Sequence, residues 1–279
     1  MKILVAVKQV AALDEDFEIR ADGKDVDPDF LVRDLNEWDD FSLEEAMKIK
    51  ESASTPVEVV AVCIGPEDAD EALRKCLAKG ADRAIRVWDD AIEGSDSIAI
   101  ARLIAAVATR EAPDLLFAGV QSSDHTFAST GIAAAALLDW PHAAVVTSLT
   151  YTPGANTAVF RRELEGGVLH EMQIECPAVL TIQLGINTPR YASLRAIKQA
   201  AAKPIEALTL EDLGVAPVHV GESGSLSRVR RMYIPEKGRA QMIEGFNAGW
   251  IDYPDRGRGA RKGTITLDQA ITALVREAQ

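Results

Sequence analysis

Through residue 140 the chain repeats one unit: a short apolar run, then a stretch whose apolar residues recur at helical spacing. Residues 2–8 read as a strand apolar on both sides. Residues 57–64 read as a second, closed by Gly65-Pro66, and Ala69, Ala72, Leu73, Cys76 and Leu77 then keep the period of an amphipathic helix that Gly80 stops. A short strand over 84–87, a helix through Ala101, Ile104, Ala105 and Ala108, a strand over 115–118 and a helix over 132–138 complete the series. Strands alternating with helices can bury both sheet faces only as parallel crossovers, so the expected class is α/β, a Rossmann-like, mostly parallel sheet with helices on both faces. Two local signals sit inside the first repeat. Asp22-Gly23 marks a hairpin within 17–27, and Ser42-Leu43-Glu44-Glu45 reads as a capping box opening a helix with Leu43, Ala46, Met47 and Ile49 mostly on one face.

After Pro141 the pattern changes. Residues 143–151, 157–164 and 168–175 are strand-like and separated by turn residues, which points to antiparallel additions, and Ala178 to Leu184 is another apolar strand. Residues 200–217 read as a connection. From Gly221 the chain is rich in glycine and in arginine (Arg228, Arg230, Arg231, Arg239, Arg256, Arg258, Arg261), and Thr266 to Ala278 has the spacing of a helix burying Leu267, Ala270, Ile271 and Leu274. The expected division is an α/β domain over 1–215 and a C-terminal arm over 216–279, the arm docking on another subunit.

With 30 Lys and Arg against 43 Asp and Glu, the net charge of -13 argues against a general nucleic-acid binder, which needs cations in excess to neutralise phosphates. No apolar segment approaches the roughly 20 residues of a membrane span, and the first residues are too short for a secretion signal, so a cytoplasmic location is expected. Cys63, Cys76 and Cys176 are an odd set without metal spacing, as expected for buried thiols in a reducing compartment. No glycine-rich nucleotide fingerprint, phosphate loop or nucleophile elbow occurs, so no catalytic constellation is visible. A binding or carrier role needs none.

In open parallel sheets, ligands sit beyond the carboxyl ends of the strands. That rule gathers the loops after residues 8, 64 and 118 at one rim, and the third has chemistry of its own: Gly119-Val120-Gln121-Ser122-Ser123-Asp124-His125-Thr126-Phe127-Ala128-Ser129-Thr130. Ser129 and Thr130 stand at the start of an alanine-rich helix, whose free N–H groups and dipole favour a phosphate, while Gln121 and Asp124 can hydrogen-bond a base or sugar. From pattern alone Ser129 or Thr130 can equally be a plain N-cap. Asp124-His125 is the candidate acid–base dyad.

Several segments read together carry a resemblance. They are Val5-Ala6-Val7-Lys8, Asp34-Leu35-Asn36-Glu37-Trp38-Asp39, Leu77-Ala78-Lys79-Gly80-Ala81-Asp82-Arg83-Ala84, Arg162-Glu163-Leu164-Glu165-Gly166-Gly167, Cys176-Pro177-Ala178-Val179 and Asn187-Thr188-Pro189-Arg190-Tyr191-Ala192-Ser193-Leu194. In this order they resemble the beta subunit of electron transfer flavoprotein over residues 1 to about 215, and the chain looks most like the proteins of methylotrophic bacteria. The resemblance implies an electron carrier without bond chemistry of its own. It implies a heterodimer whose alpha subunit holds most of a redox-active FAD, while this chain buries a structural AMP. By motif, the AMP lies against Ala6, Asn36, Glu37, Trp38, Asp39, Ile64 and Gly119 through Thr130. The resemblance also places Tyr191, Leu194 and Arg195 in the segment that anchors a donor dehydrogenase, and implies a donor of the trimethylamine or dimethylamine type. From residues alone, Leu194 would begin a helix and pack inward with Ile197.

Some relatives of that family bifurcate electrons and carry a second FAD in place of AMP. They tend to show Asp-Gly-Asp-Thr and then Val-Gly-Pro in the loop, where this chain has Asp124-His125-Thr126-Phe127 and Thr130-Gly131-Ile132. An adenine-nucleotide enzyme of related sheet would want glycine and serine after the first strand, and Gln9-Val10-Ala11-Ala12 supplies neither. A stand-alone nucleotide-binding stress-type module leaves the Glu165-Gly166-Gly167 and Asn187 to Leu194 segments without a purpose.

Overall fold

In the computed structural model, residues 1–13 and 17–234 are described. The chain divides into two units, Met1–Met232 and Tyr233–Gln279, and the second lies outside the described residues but for Tyr233 and Ile234. The expected helix over Thr266 to Ala278, and Arg239, Arg256, Arg258 and Arg261, fall outside them too.

The strands are β1 (Lys2–Val7), β2 (Gln9–Leu13), β3 (Leu31–Leu35), β4 (Glu58–Ile64), β5 (Arg83–Val87), β6 (Leu115–Gly119), β7 (His142–Thr150), β8 (Thr157–Glu163), β9 (Leu169–Glu175), β10 (Ala178–Ile182) and β11 (Glu206–Leu208). The α-helices are α1 (Glu37–Ser52), α2 (Asp70–Lys79), α3 (Ser97–Glu111), α4 (Thr130–Leu138), α5 (Leu194–Ala201) and α6 (Gly221–Gly224). Among the described residues one nine-stranded sheet runs β11-β5-β4-β1-β6-β10-β7-β8-β9, and β2 and β3 form a separate antiparallel pair. The strands from β11 to β7 are parallel, and β8 and β9 are antiparallel additions at one edge.

The uninterrupted apolar runs follow from burial on both faces. In β1, Ile3, Val5 and Val7 pack with Leu43 and Met47 of α1 and Leu73 of α2. Leu4 and Ala6 point the other way, among Leu103 and Ile104 of α3 and Ala134 of α4. The alternation repeats in β4 and β6, so helices must cover both sides.

Three readings change. The helix read as opening at Ser42 begins at Glu37, with Asn36 as its N-cap and Glu37, Asp39 and Asp40 in the first turn, where acids suit the helix dipole. Ser42 lies inside it, its hydroxyl donating to Trp38 O at 3.0 Å. The strand after Pro141 is not purely an antiparallel addition, because β10 inserts between β6 and β7 and runs parallel to both. The stretch read as a connection contributes β11, which pairs in parallel with β5. The Asp22-Gly23 turn is present: Gly23 has φ +66°, and its N–H donates to Arg20 O at 2.8 Å.

Gly119 is fixed by a close approach. A Cβ there would lie 2.5 Å from both Asp39 Oδ1 and Trp38 Cβ. Gly119→Ala is expected to destabilise the protein by about 1–3 kcal/mol through forced displacement of α1, read as a lower urea midpoint at unchanged slope. An unchanged midpoint would show that the first turn of α1 yields without cost.

Candidate functional site

The N-terminus of α1 meets the ends of β1 and β6 at the carboxyl edge of the sheet. The Asp39 carboxylate joins them: Oδ2 accepts the Lys8 N–H at 2.7 Å and Oδ1 the Gly119 N–H at 2.9 Å. Asn36 ties the start of the helix to the same places. Its N–H donates to Lys8 O at 2.9 Å, its Nδ2 to Gln121 O at 2.9 Å, and its Oδ1 accepts the Ser123 N–H at 3.2 Å. Lys8 Nζ reaches the Asp124 carboxylate at 2.7 Å and lies 3.2 Å from His125 Nδ1. Gln9 Nε2 donates to Asp68 O at 2.8 Å, beyond β4, so the three strand-end loops meet at one rim.

The loop keeps its own shape. Thr126 and Ala128 adopt left-handed φ of 53° and 51°, and the His125 and Phe127 rings stack with centroids 5.6 Å apart. Phe127 is 58% exposed. Ser129 is the N-cap of α4, but its side chain makes no capping bond; its hydroxyl donates instead to Ser97 Oγ at 2.8 Å, leaving the main-chain donors of the first turn without a side-chain acceptor. The Asp124 carboxylate turns to Lys8 and to the His125 backbone N–H at 2.7 Å, not to the imidazole, so the two side chains do not form a dyad.

The titration pattern follows from these contacts. Burial would raise Asp124, but its bonds to Lys8 and Ser122 outweigh it and hold the carboxyl below its usual range. Burial and the charge of Lys8 lower His125. Burial pushes the Asp39 carboxyl up from 3.8 to about 7, against the pull of its bonds to Lys8, Asn36 and Gly119. Burial likewise pushes the Cys63 thiol up to about 12 and raises Cys76, which suits inert core thiols.

The structure therefore brings Asn36, Asp39, Gly119, Gln121, Ser123, Asp124 and His125 into one bonded network. Val120 continues the β6 register through its N–H to Ile182 O at 3.1 Å, and Ser122 lies 3.4 Å from Lys8 Nζ. Ala6 and Ile64 sit at or near the carboxyl ends of β1 and β4, and Thr130 opens α4. Glu37 is exposed. Trp38 is held by a residue that the sequence did not single out: its Nε1 donates to Gln183 Oε1 at 3.1 Å. Lys8 and Ser97 were also not singled out as site residues. Lys8 directly follows a strand that the sequence reads as parallel, which is the signal that finds it; Gln183 follows β10, whose parallel insertion shows only in the fold, and Ser97 carries no signal.

Tyr191, Leu194 and Arg195 do not join this network. They form an exposed surface at the start of α5, with Tyr191 99% and Leu194 80% exposed, so Leu194 does not pack inward. The preceding segment is clamped to α1. Arg190 pairs with Glu44 through Nε at 2.8 Å and with Glu51 through its terminal nitrogens, and Asn187 Nδ2 donates to Glu45 Oε2 at 2.9 Å.

Among the described residues no group of His, Cys, Asp or Glu has metal-binding geometry, and no helix is long and apolar enough to cross a membrane. A concavity of 320 Å³ lined by Asp114, Trp140 and Cys176 lies at the other end of the sheet, beside the starts of β6 and β10.

Comparison with known proteins finds one family. Residues 31–213 match the family model of the electron transfer flavoprotein domain. The chain is 71% identical over 245 residues to the electron transfer flavoprotein subunit beta of Methylophilus methylotrophus, covering 88% of this chain and 93% of that one. It is 40% identical over 215 residues to the mitochondrial subunit beta of Arabidopsis thaliana and 36% identical over 217 to subunit beta of Mus musculus, each covering 77% of this chain and 84% of the relative.

Because the folded chain holds a proton on Asp39 that the unfolded chain has released, stability should fall as pH rises from about 4 to about 7. Asp39→Asn should flatten that slope. It should also cost about 1–3 kcal/mol at the acid end, where an amide NH2 faces a backbone donor. Urea denaturation across this range reads both, and parallel slopes in the two proteins would remove Asp39 as the source.

Proposed function

The chain belongs to the electron transfer flavoprotein beta-subunit family, and on that premise we propose that it is an electron-carrier subunit with no bond chemistry of its own. It pairs with an alpha subunit that holds most of the redox-active FAD, and it binds a structural AMP at the strand-end rim. The 71% identity across 88% of the chain shows the family and supports the carrier role. What supports AMP at the rim is the head of α4. Its main-chain donors have no side-chain cap, its dipole suits an anion, and Asn36, Asp39 and Lys8 hold the adjoining loop in place. In this reading Gly119 through Thr130 form the main wall. Thr130 and its neighbours take the phosphate, and the backbone around Ala6 and Ile64 takes the adenine. Glu37 and Trp38 flank the same entrance from α1.

The donor dehydrogenase, of the trimethylamine or dimethylamine type, docks on Tyr191, Leu194 and Arg195. A large exposed leucine on a short helix can fill a pocket and dominate a small interface. The C-terminal arm, 216–279, docks on the alpha subunit beyond Met232, which this chain's own α/β unit still holds.

Denaturing the purified heterodimer and separating the released cofactors should yield AMP and FAD in equal amounts. FAD at twice that ratio with AMP absent would replace this reading with the bifurcating one. Leu194→Ala should leave cofactor content unchanged and slow reduction by the donor dehydrogenase about tenfold or more, the effect of losing one interface anchor. Unchanged donor kinetics would remove Leu194 from the interface.

A further inference from the structure

The segment after residue 216 is seated on α3 and then leaves it. Arg102 donates to His219 O at 3.0 Å and Gly224 O at 2.8 Å, and the Gly221 N–H donates to Ser95 Oγ at 2.7 Å. Gly221 has φ +62°, and a Cβ there would lie 2.3 Å from Ala91 O, so the chain passes too closely for any side chain. The Asp96 carboxylate then serves two segments at once. Its Oδ1 caps α3 through the N–H groups of Ile98 and Ala99 at 3.0 and 2.9 Å. Its Oδ2 accepts the N–H groups of Leu226 and Ser227 at 2.8 and 2.9 Å and the Ser227 hydroxyl at 3.2 Å.

The segment is caught again at Met232, whose N–H donates to Gly23 O at 2.7 Å. From Ser227 to Met232 the chain can span at most roughly 18 Å. Both anchors belong to the rim. Ser97, next to Asp96, accepts the hydroxyl of Ser129 at the head of α4. Asp25, in the turn that holds Gly23, acts electrostatically on His125 of the loop after β6. A tether this short holds the segment between the head of α3 and the Gly23 turn. Leu226 and Val229 within it are 79% and 52% exposed, so the segment buries little and rests chiefly on the hydrogen bonds at its ends.

We propose that Leu226–Met232 is a strap across the nucleotide rim, and that a bound adenine nucleotide enters and leaves when either end lets go. The proposal rests on the reading of the rim as an AMP site. It makes Asp96 a positioning residue that acts on the nucleotide through the strap.

The test is exchange of bound AMP for isotopically labelled AMP in the intact complex. Ser227→Pro removes both Ser227 donors to Asp96, the N–H and the hydroxyl, and leaves the α3 cap in place; Met232→Pro removes the donor to Gly23 at the other end. Each variant should release AMP at least tenfold faster than the parent, with the melting temperature and FAD content unchanged. Hydrogen exchange should show faster labelling of the strap and not of α3. The two substitutions lie at opposite ends, so if one impairs folding the other decides. AMP present but exchanging at the parental rate in the folded variant would overturn the strap and leave the AMP site standing. A complex isolated without AMP would overturn the site and the strap together.

Discussion

Because the Asp39 carboxylate takes the N–H of Lys8 with one oxygen and that of Gly119 with the other, the ends of β1 and β6 and the start of α1 are fixed by a single side chain. Each of these backbone donors lies where a strand leaves the sheet and needs an acceptor that the ladder no longer supplies. Asp39 can reach both only because the segment comes within contact distance of Gly119, which is why no side chain fits there. Asn36 uses the same proximity to hold Gln121 and Ser123. The loop after β6 is therefore shaped from the helix opposite, and its left-handed residues, Thr126 and Ala128, are tolerated because both ends of the loop are fixed.

The other half of α1 faces a different task. Glu44 and Glu45 are 8% and 3% exposed, and charges so buried need partners. Arg190 and Asn187 supply them, and in doing so they fix the chain just before Tyr191 and Leu194. One rigid helix thus positions the rim loop with its first turn and the exposed start of α5 with its later turns. The acids on this helix look like a solvated face in sequence. In the fold they are ligands of neighbouring segments.

The physical origin of each signal explains how much was legible. The parallel sheet was readable because burial on both faces leaves an apolar run that surface strands do not have. The rim followed from topology alone, and the specific segments followed from resemblance. The start of α1 was not readable, because Asn36 spends its side chain on Gln121 and Ser123 and makes no local cap, whereas Ser42 and Glu45 imitate one. The insertion of β10 between β6 and β7 depends on pairing between residues far apart in sequence. Gln183 became visible only with that insertion, which carries it to Trp38. Exposure of Leu194 was equally hidden, since its spacing to Ile197 fits an inward-facing stripe.

The scarcity of recognisable motifs at the rim has a cause in the same geometry. A phosphate can be held by cations or by main-chain donors at a helix terminus, and only the first leaves a basic signature in sequence. The stretch from Gly119 to Gly131 contains neither Lys nor Arg, and the nearby Lys8 is already paired with Asp124. A nucleotide seated here would be held by short-range, directional N–H groups and hydroxyls, in a chain whose net charge of -13 repels anions at long range. Such a site gains little from electrostatic capture and depends on pre-formed geometry. That suits a resident structural nucleotide better than a substrate that must arrive and leave at every turnover.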